Sequence, residues 1–101
     1  MDWKRQLRRD GFLEIDGFRI ELSLDNTFMD LEYIPRIIVY DYENGKWHVL
    51  RNPIEGSSSF EELWDNAVET LERIVNGEEE PIFGDEEVGK RFIKSLKALR
   101  D

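Results

Sequence analysis

Two dipeptides, Asp16-Gly17 and Asn44-Gly45, limit the folds open to this chain, because each interrupts a run of apolar residues at strand spacing. Such pairs tolerate the backbone angles of a tight hairpin loop, so each marks where an antiparallel strand returns along its neighbour. Residues 12–24, FLEIDGFRIELSL, alternate around the first pair. Ile15 then faces Phe18, Glu14 faces Arg19 and Leu13 faces Ile20. Leu13, Ile15, Phe18, Ile20, Leu22 and Leu24 share one side, while Glu14, Arg19, Glu21 and Ser23 share the other, the pattern of a half-buried sheet.

The second pair lies in YDYENGKWHV, residues 40–49. A two-residue loop there sets Glu43 opposite Lys46, Tyr42 opposite Trp47, Asp41 opposite His48, Tyr40 opposite Val49 and Val39 opposite Leu50. Tyr40, Tyr42, Trp47 and Val49 fall on one face. Ile37, Val39 and Leu50 fall on the other, with Asp41 and His48 beyond them. Both faces are apolar, so the hairpin is either covered on two sides or carries an exposed aromatic patch. Asp41 and His48 form the one pair resembling an acid–base dyad. No nucleophile neighbours them in sequence, and a cross-strand ion pair is the expected reading.

Three helices are expected. Asp2 caps a short one over Trp3–Asp10, ended by Gly11, with Trp3 and Leu7 docking on the sheet and Lys4, Arg5, Arg8 and Arg9 in water. In SSSFEELWDNAVETLERIVNG, Ser58 or Ser59 with Glu61 or Glu62 forms a capping box, and Gly77 closes the helix. Phe60, Leu63, Trp64, Ala67, Val68, Leu71, Ile74 and Val75 follow its 3.6-residue period. Asp85 caps a last helix over 86–100, with Val88, Phe92, Leu96 and Leu99 inward and its acid-to-base order matched to the helix dipole. Between these helices, EEEPIFGD is a linker with Ile82 and Phe83 tucked into the core. Residues 25–35 alternate Met29, Leu31 and Tyr33 with Asp30 and Glu32, which suits a short strand at an edge or ended by Pro35, or an apolar loop for a partner. The expected fold is one α+β domain: an antiparallel sheet of four or five strands against helices, in the order helix, strands, helix, helix.

Charge sharpens the reading of function. The 101 residues carry a net −9. Residues 11–89 hold twenty acidic against five basic side chains, while both ends are basic. Glu61, Glu62, Asp65, Glu69 and Glu72 line the outer face of the central helix, and Glu78, Glu79 and Glu80 follow it. Such a field repels phosphate and attracts basic proteins. With no cysteine and one histidine, the usual zinc sites are excluded, as are disulfides and a thiol nucleophile. The acidic linker lacks the spacing of a calcium loop, no phosphate-binding glycine motif occurs, and Ser57–Ser59 are turn and cap residues. No cofactor, metal ligand or catalytic residue is assigned. No apolar run reaches bilayer or signal-peptide length, and the expectation is a soluble cytoplasmic protein.

IIVYDYENGKWHV as an opening hairpin, NPIEG as a proline-to-glycine turn, SFEELWDNAVETLERIV as a helix and EEEPI as its exit together resemble, over residues 36–83, the partial RNase-H-like domain of HicB-type antitoxins. The chain departs from that pattern where a strand shrinks to Ser57–Ser59, and its last helix lacks a DNA-binding motif. In size, charge and element order it is also similar to small phage anti-CRISPR proteins. Both resemblances imply a non-enzymatic inhibitor that engages a basic partner, such as a nuclease or another nucleic-acid-binding protein. Two alternatives stand beside this. Lys4, Arg5, Arg8, Arg9, Lys90, Arg91, Lys94 and Lys97 could converge as a nucleic-acid surface with stacking by the aromatic hairpin. The strong turn and cap signals also suit a designed or purely structural domain without a ligand.

Overall fold

Local chemistry starts and stops each helix. The Asp2 carboxylate accepts from the Arg5 amide at 3.2 Å, opening α1 (Trp3–Asp10), and Gly11 closes it at φ 78° with its amide on Leu7. Ser59 caps α2 (Phe60–Val75) through the Glu62 amide. The capping box is not closed, however, because the Glu62 carboxylate accepts from the Ser57 hydroxyl at 3.0 Å instead. Past Asn76, Gly77 takes φ 78°; its amide donates to Ile74 and that of Glu78 to Arg73, the paired bonds of a Schellman ending. Asp85 caps α3 (Glu86–Leu96) at the amides of Glu87 and Val88. The last helix is shorter than its periodicity suggests: it tightens into a 3-10 turn at Lys97–Leu99.

The computed structural model describes the backbone of residues 2–26 and 33–100, and the side chains of 2–24 and 35–100. Among the described residues four strands, β1 (Phe12–Ile15), β2 (Phe18–Asn26), β3 (Tyr33–Asp41) and β4 (Lys46–Leu50), form one antiparallel meander in the order β1-β2-β3-β4. The α+β class and the antiparallel sheet agree with the pattern, and the strand count falls within it; the helical order differs in detail, since a 3-10 turn follows α3. The expectation for Met29 and Leu31 lies outside the described residues. Pro35 does not end its strand. It sits inside β3 opposite Leu24, at a point that β4, whose pairing stops at Ile37, does not reach, so the missing proline amide falls where β3 is locally an edge.

The first hairpin has the expected register, Ile15 opposite Phe18 and Leu13 opposite Ile20. The second does not. Asp41 lies opposite Lys46, Tyr40 opposite Trp47, Val39 opposite His48 and Ile37 opposite Leu50, so four residues, not two, make the turn. The tight loop expected at Asn-Gly requires positive φ at both positions, and only Gly45 takes it, at 65°. Asp41 supplies the competing geometry. Its carboxylate accepts from the Glu43 amide at 3.0 Å and the Asn44 side chain at 2.8 Å, and its carbonyl accepts from the Gly45 amide at 2.8 Å. This Asx-type turn begins two residues earlier than the dipeptide implies. A two-residue slip leaves every side chain on its expected face.

All three helices cover the same side of the sheet. Trp3 and Leu7, then Leu13, Phe18, Ile20, Ile37 and Val39, then Ala67, Val68 and Leu71, then Val88, Phe92 and Leu96 make one continuous buried cluster. Each of the larger side chains contributes about 1.5–3 kcal/mol on burial. Phe92 meets Phe18 edge-on at 5.5 Å and Phe83 at 5.2 Å, tying α3 and the preceding linker to the sheet. Phe83 thus packs inward as expected, whereas Ile82 is 48% exposed, and Phe60 is exposed despite lying on the apolar stripe of α2.

Candidate interaction surface

The eight carboxylates singled out on and after α2 divide into two groups. On the helix, α1 lies alongside α2. Lys4 pairs with Glu72, and Arg8 with Asp65 at 3.0 Å. Part of the acidic stripe is therefore answered by the basic face of the chain's own first helix, which corrects the expectation that these cations stay in water. All four side chains remain at least a third exposed, so each pair contributes about 0–1 kcal/mol. Glu61, Glu62 and Glu69 are exposed and form no ion pair among the described residues.

The second group is held by Asn52. This buried side chain donates from Nδ2 to Glu79 Oε2 at 2.9 Å and to the Glu80 carbonyl at 2.8 Å, and its Oδ1 accepts from the Ile82 amide at 2.8 Å. The Arg51 amide adds a bond to the Ile82 carbonyl at 2.8 Å. Glu79 also lies 3.7 Å from Arg73. Glu78 and Glu80 stay exposed and unpaired among the described residues. The acidic linker is thus pinned to the end of β4. The only sequence sign of this is the asparagine before Pro53, which reads as a turn residue.

Asp41 and His48 do not form a dyad. Asp41 accepts from Arg91 Nη2 at 2.6 Å and Nη1 at 3.1 Å, while Nη1 also reaches Glu43 at 2.9 Å. Glu43 therefore pairs with Arg91 rather than Lys46. The guanidinium and the turn donors hold the buried Asp41 carboxyl well below the usual carboxylate range, against the opposing effect of burial. His48 lies beside Phe83, ring centroids 6.2 Å apart, and its Nε2 is buried without a hydrogen-bond partner.

The basic ends do not merge into one free patch. Arg5 lies 3.8 Å from Asp2, Arg9 pairs with Asp10, Arg91 with Asp41, and Lys90 stands 4.0 Å from Glu87. Only Lys94 and Lys97 of the proposed cluster carry no ion pair among the described residues.

The sheet face opposite the helices carries the aromatic patch that the hairpin pattern allowed, with Tyr42 and Trp47 exposed. The strand registers align Glu14, Arg19, Tyr40 and Trp47 in one row across the sheet. Tyr40 meets Tyr42 at 5.2 Å and Trp47 at 4.9 Å, both steeply inclined. Charged groups of this face pair with one another: Arg19 bonds to Glu14 at 2.8 Å and Glu21 at 3.1 Å while lying 4.0 Å over Phe12. The Tyr42 hydroxyl donates to Glu14, and this hydrogen bond pushes the phenol pKa up.

Among the described residues no group of three potential metal ligands assembles, and no helix is long and apolar enough to cross a membrane. No family model matches the chain, and no curated protein or solved structure is significantly similar to it.

Proposed function

We propose that this protein is a non-catalytic, acidic interaction module that engages a basic, nucleic-acid-binding protein, acting as an inhibitor of the antitoxin or anti-CRISPR type in the cytoplasm. One observation carries the reading. After the internal ion pairs are formed, Glu61, Glu62 and Glu69 on α2 and Glu78 and Glu80 beyond it are still exposed and without an ion pair among the described residues, in a chain of net charge −9. Carboxylates on a helix and on a pinned segment hold their spacing, so a basic partner meets a preset pattern at little ordering cost. Asp65, Glu72 and Glu79 belong to the same surface but act first within the fold.

The test is affinity capture at low salt, identification of the captured protein, and titration of that protein. The expected partner is basic, is displaced by single-stranded RNA or DNA, and binds more weakly as salt rises. Glu61→Lys/Glu62→Lys/Glu69→Lys should weaken binding at least tenfold. Asp16→Lys/Glu55→Lys/Glu87→Lys, with the same net charge, should not. Binding that ignores both salt and the first triple variant would overturn the reading.

A further inference from the structure

Two walls fixed by distant polar contacts enclose a groove of about 360 Å³ beside α3. One wall is the segment from Glu80 to Phe83, pinned by Asn52. The other is α3, locked to the β3–β4 turn by Arg91 on Asp41. Apolar and acidic side chains line the groove together. Ile82 and Ile93 flank it at 48% and 37% exposure. Gly89 of α3 is buried against the Phe83 ring, 3.8 Å from where its Cβ would lie, and forms part of the groove lining. The lining sets Glu80, Asp85 and Glu86 against one cation, Lys90.

We propose that this groove anchors the partner: an aliphatic side chain enters between Ile82 and Ile93 while flanking arginines or lysines meet Glu80 and Glu86. The inference rests on the acidic-module reading and deepens it by naming the contact that excludes water. Charge decides between this groove and the aromatic sheet face. On the sheet face Arg19 bridges both Glu14 and Glu21 and leaves these three groups a net charge of −1, whereas Glu80, Asp85, Glu86 and Lys90 leave the groove at −2. Beside α3 exposed apolar area and unbalanced negative charge coincide, the combination that a basic segment with an aliphatic anchor complements. Both walls are in place without the partner, so little affinity is lost to ordering them.

The experiment is an NMR titration of the full chain with two peptides of equal charge, acetyl-Arg-Leu-Arg-Arg-Leu-Arg-amide and its serine-for-leucine twin. The leucine peptide should shift the Ile82 and Ile93 methyl signals and bind at least tenfold more tightly than the twin. Ile82→Ser/Ile93→Ser leaves the net charge unchanged and should reduce the leucine peptide to the affinity of the twin. Equal binding of both peptides to the unaltered protein would overturn the groove, as would shifts centred on Trp47 and Tyr42. The peptide comparison needs no variant, so it stands even if the double substitution unfolds. The acidic-module reading is tested separately, by charge reversal on α2 against the captured partner, and survives failure of the groove.

Discussion

Asp41 and Arg91, fifty positions apart, form a two-pronged ion pair at 2.6 and 3.1 Å in which the carboxylate is wholly buried. The pair joins the β3–β4 turn to the middle of α3 and stacks the guanidinium 5.3 Å from the Phe18 ring. It closes the long connection through α2 and therefore acts on the global fold rather than on one hairpin.

Asp41→Ala removes the turn acceptor and the ion pair together and is expected to destabilise by about 3 kcal/mol in urea unfolding. Arg91→Met is expected to lower the melting temperature more than Asp41→Asn, because it leaves a buried carboxylate without its cation. In a double-mutant cycle the two positions should couple by more than about 0.5 kcal/mol. Additive effects would show that the pair does not bridge the elements.

Acid should expose the same pair. The folded-state pKa of Asp41 is depressed, so its contribution is complete above the unfolded carboxylate pKa of about 3.9 and is lost as pH falls below it toward the folded value. Stability measured from pH 6 to 2 should fall below about pH 4 in the native chain. The fall should be shallower for Asp41→Asn, which has no carboxylate there to protonate.

Asn52 fills three hydrogen-bonding positions with one side chain. Asn52→Ala leaves the Ile82 amide and the Glu80 carbonyl without these partners, at a cost of about 2–3 kcal/mol. Hydrogen exchange should quicken at the Ile82 and Arg51 amides more than in α2. Unchanged protection at both would show that the acidic segment is held by its packing alone.

The turn makes its own prediction. Only Gly45 needs positive φ, so Gly45→Ala should cost about 1 kcal/mol or more, while Asn44→Gly should bring no gain and should lose the bond to Asp41. If Asn44→Gly stabilised the protein, the two-residue loop would be the better description. Nuclear Overhauser contacts between the strands, Tyr40 with Trp47 against Tyr40 with Val49, distinguish the registers directly.

Alternation around Asp16-Gly17, the 3.6-residue period of Leu63–Val75 and the caps Asp2, Ser58 or Ser59, and Asp85 were sufficient to place the first hairpin, the central helix and, to within a residue, all three helix starts. These are local effects, since a cap, a turn or a buried stripe depends on residues within a turn or two of chain. Faces were as legible as elements, because a slip of two residues preserves them, and Tyr40, Tyr42, Trp47 and Val49 emerged together as the pattern required. Register at Asn44-Gly45 was not legible from the dipeptide, because Asp41 competes with a turn of its own, and its carboxylate is also held by Arg91 fifty positions away. The same limit applied to the candidate surface. Composition located the carboxylates, but whether each is free or answered depends on which helix lies beside it and on where Asn52 ties the chain. Distance along the sequence says nothing of such contacts; only the packed core, by fixing α1 against α2 and residues 79–82 against the end of β4, decides which charges are left for a partner.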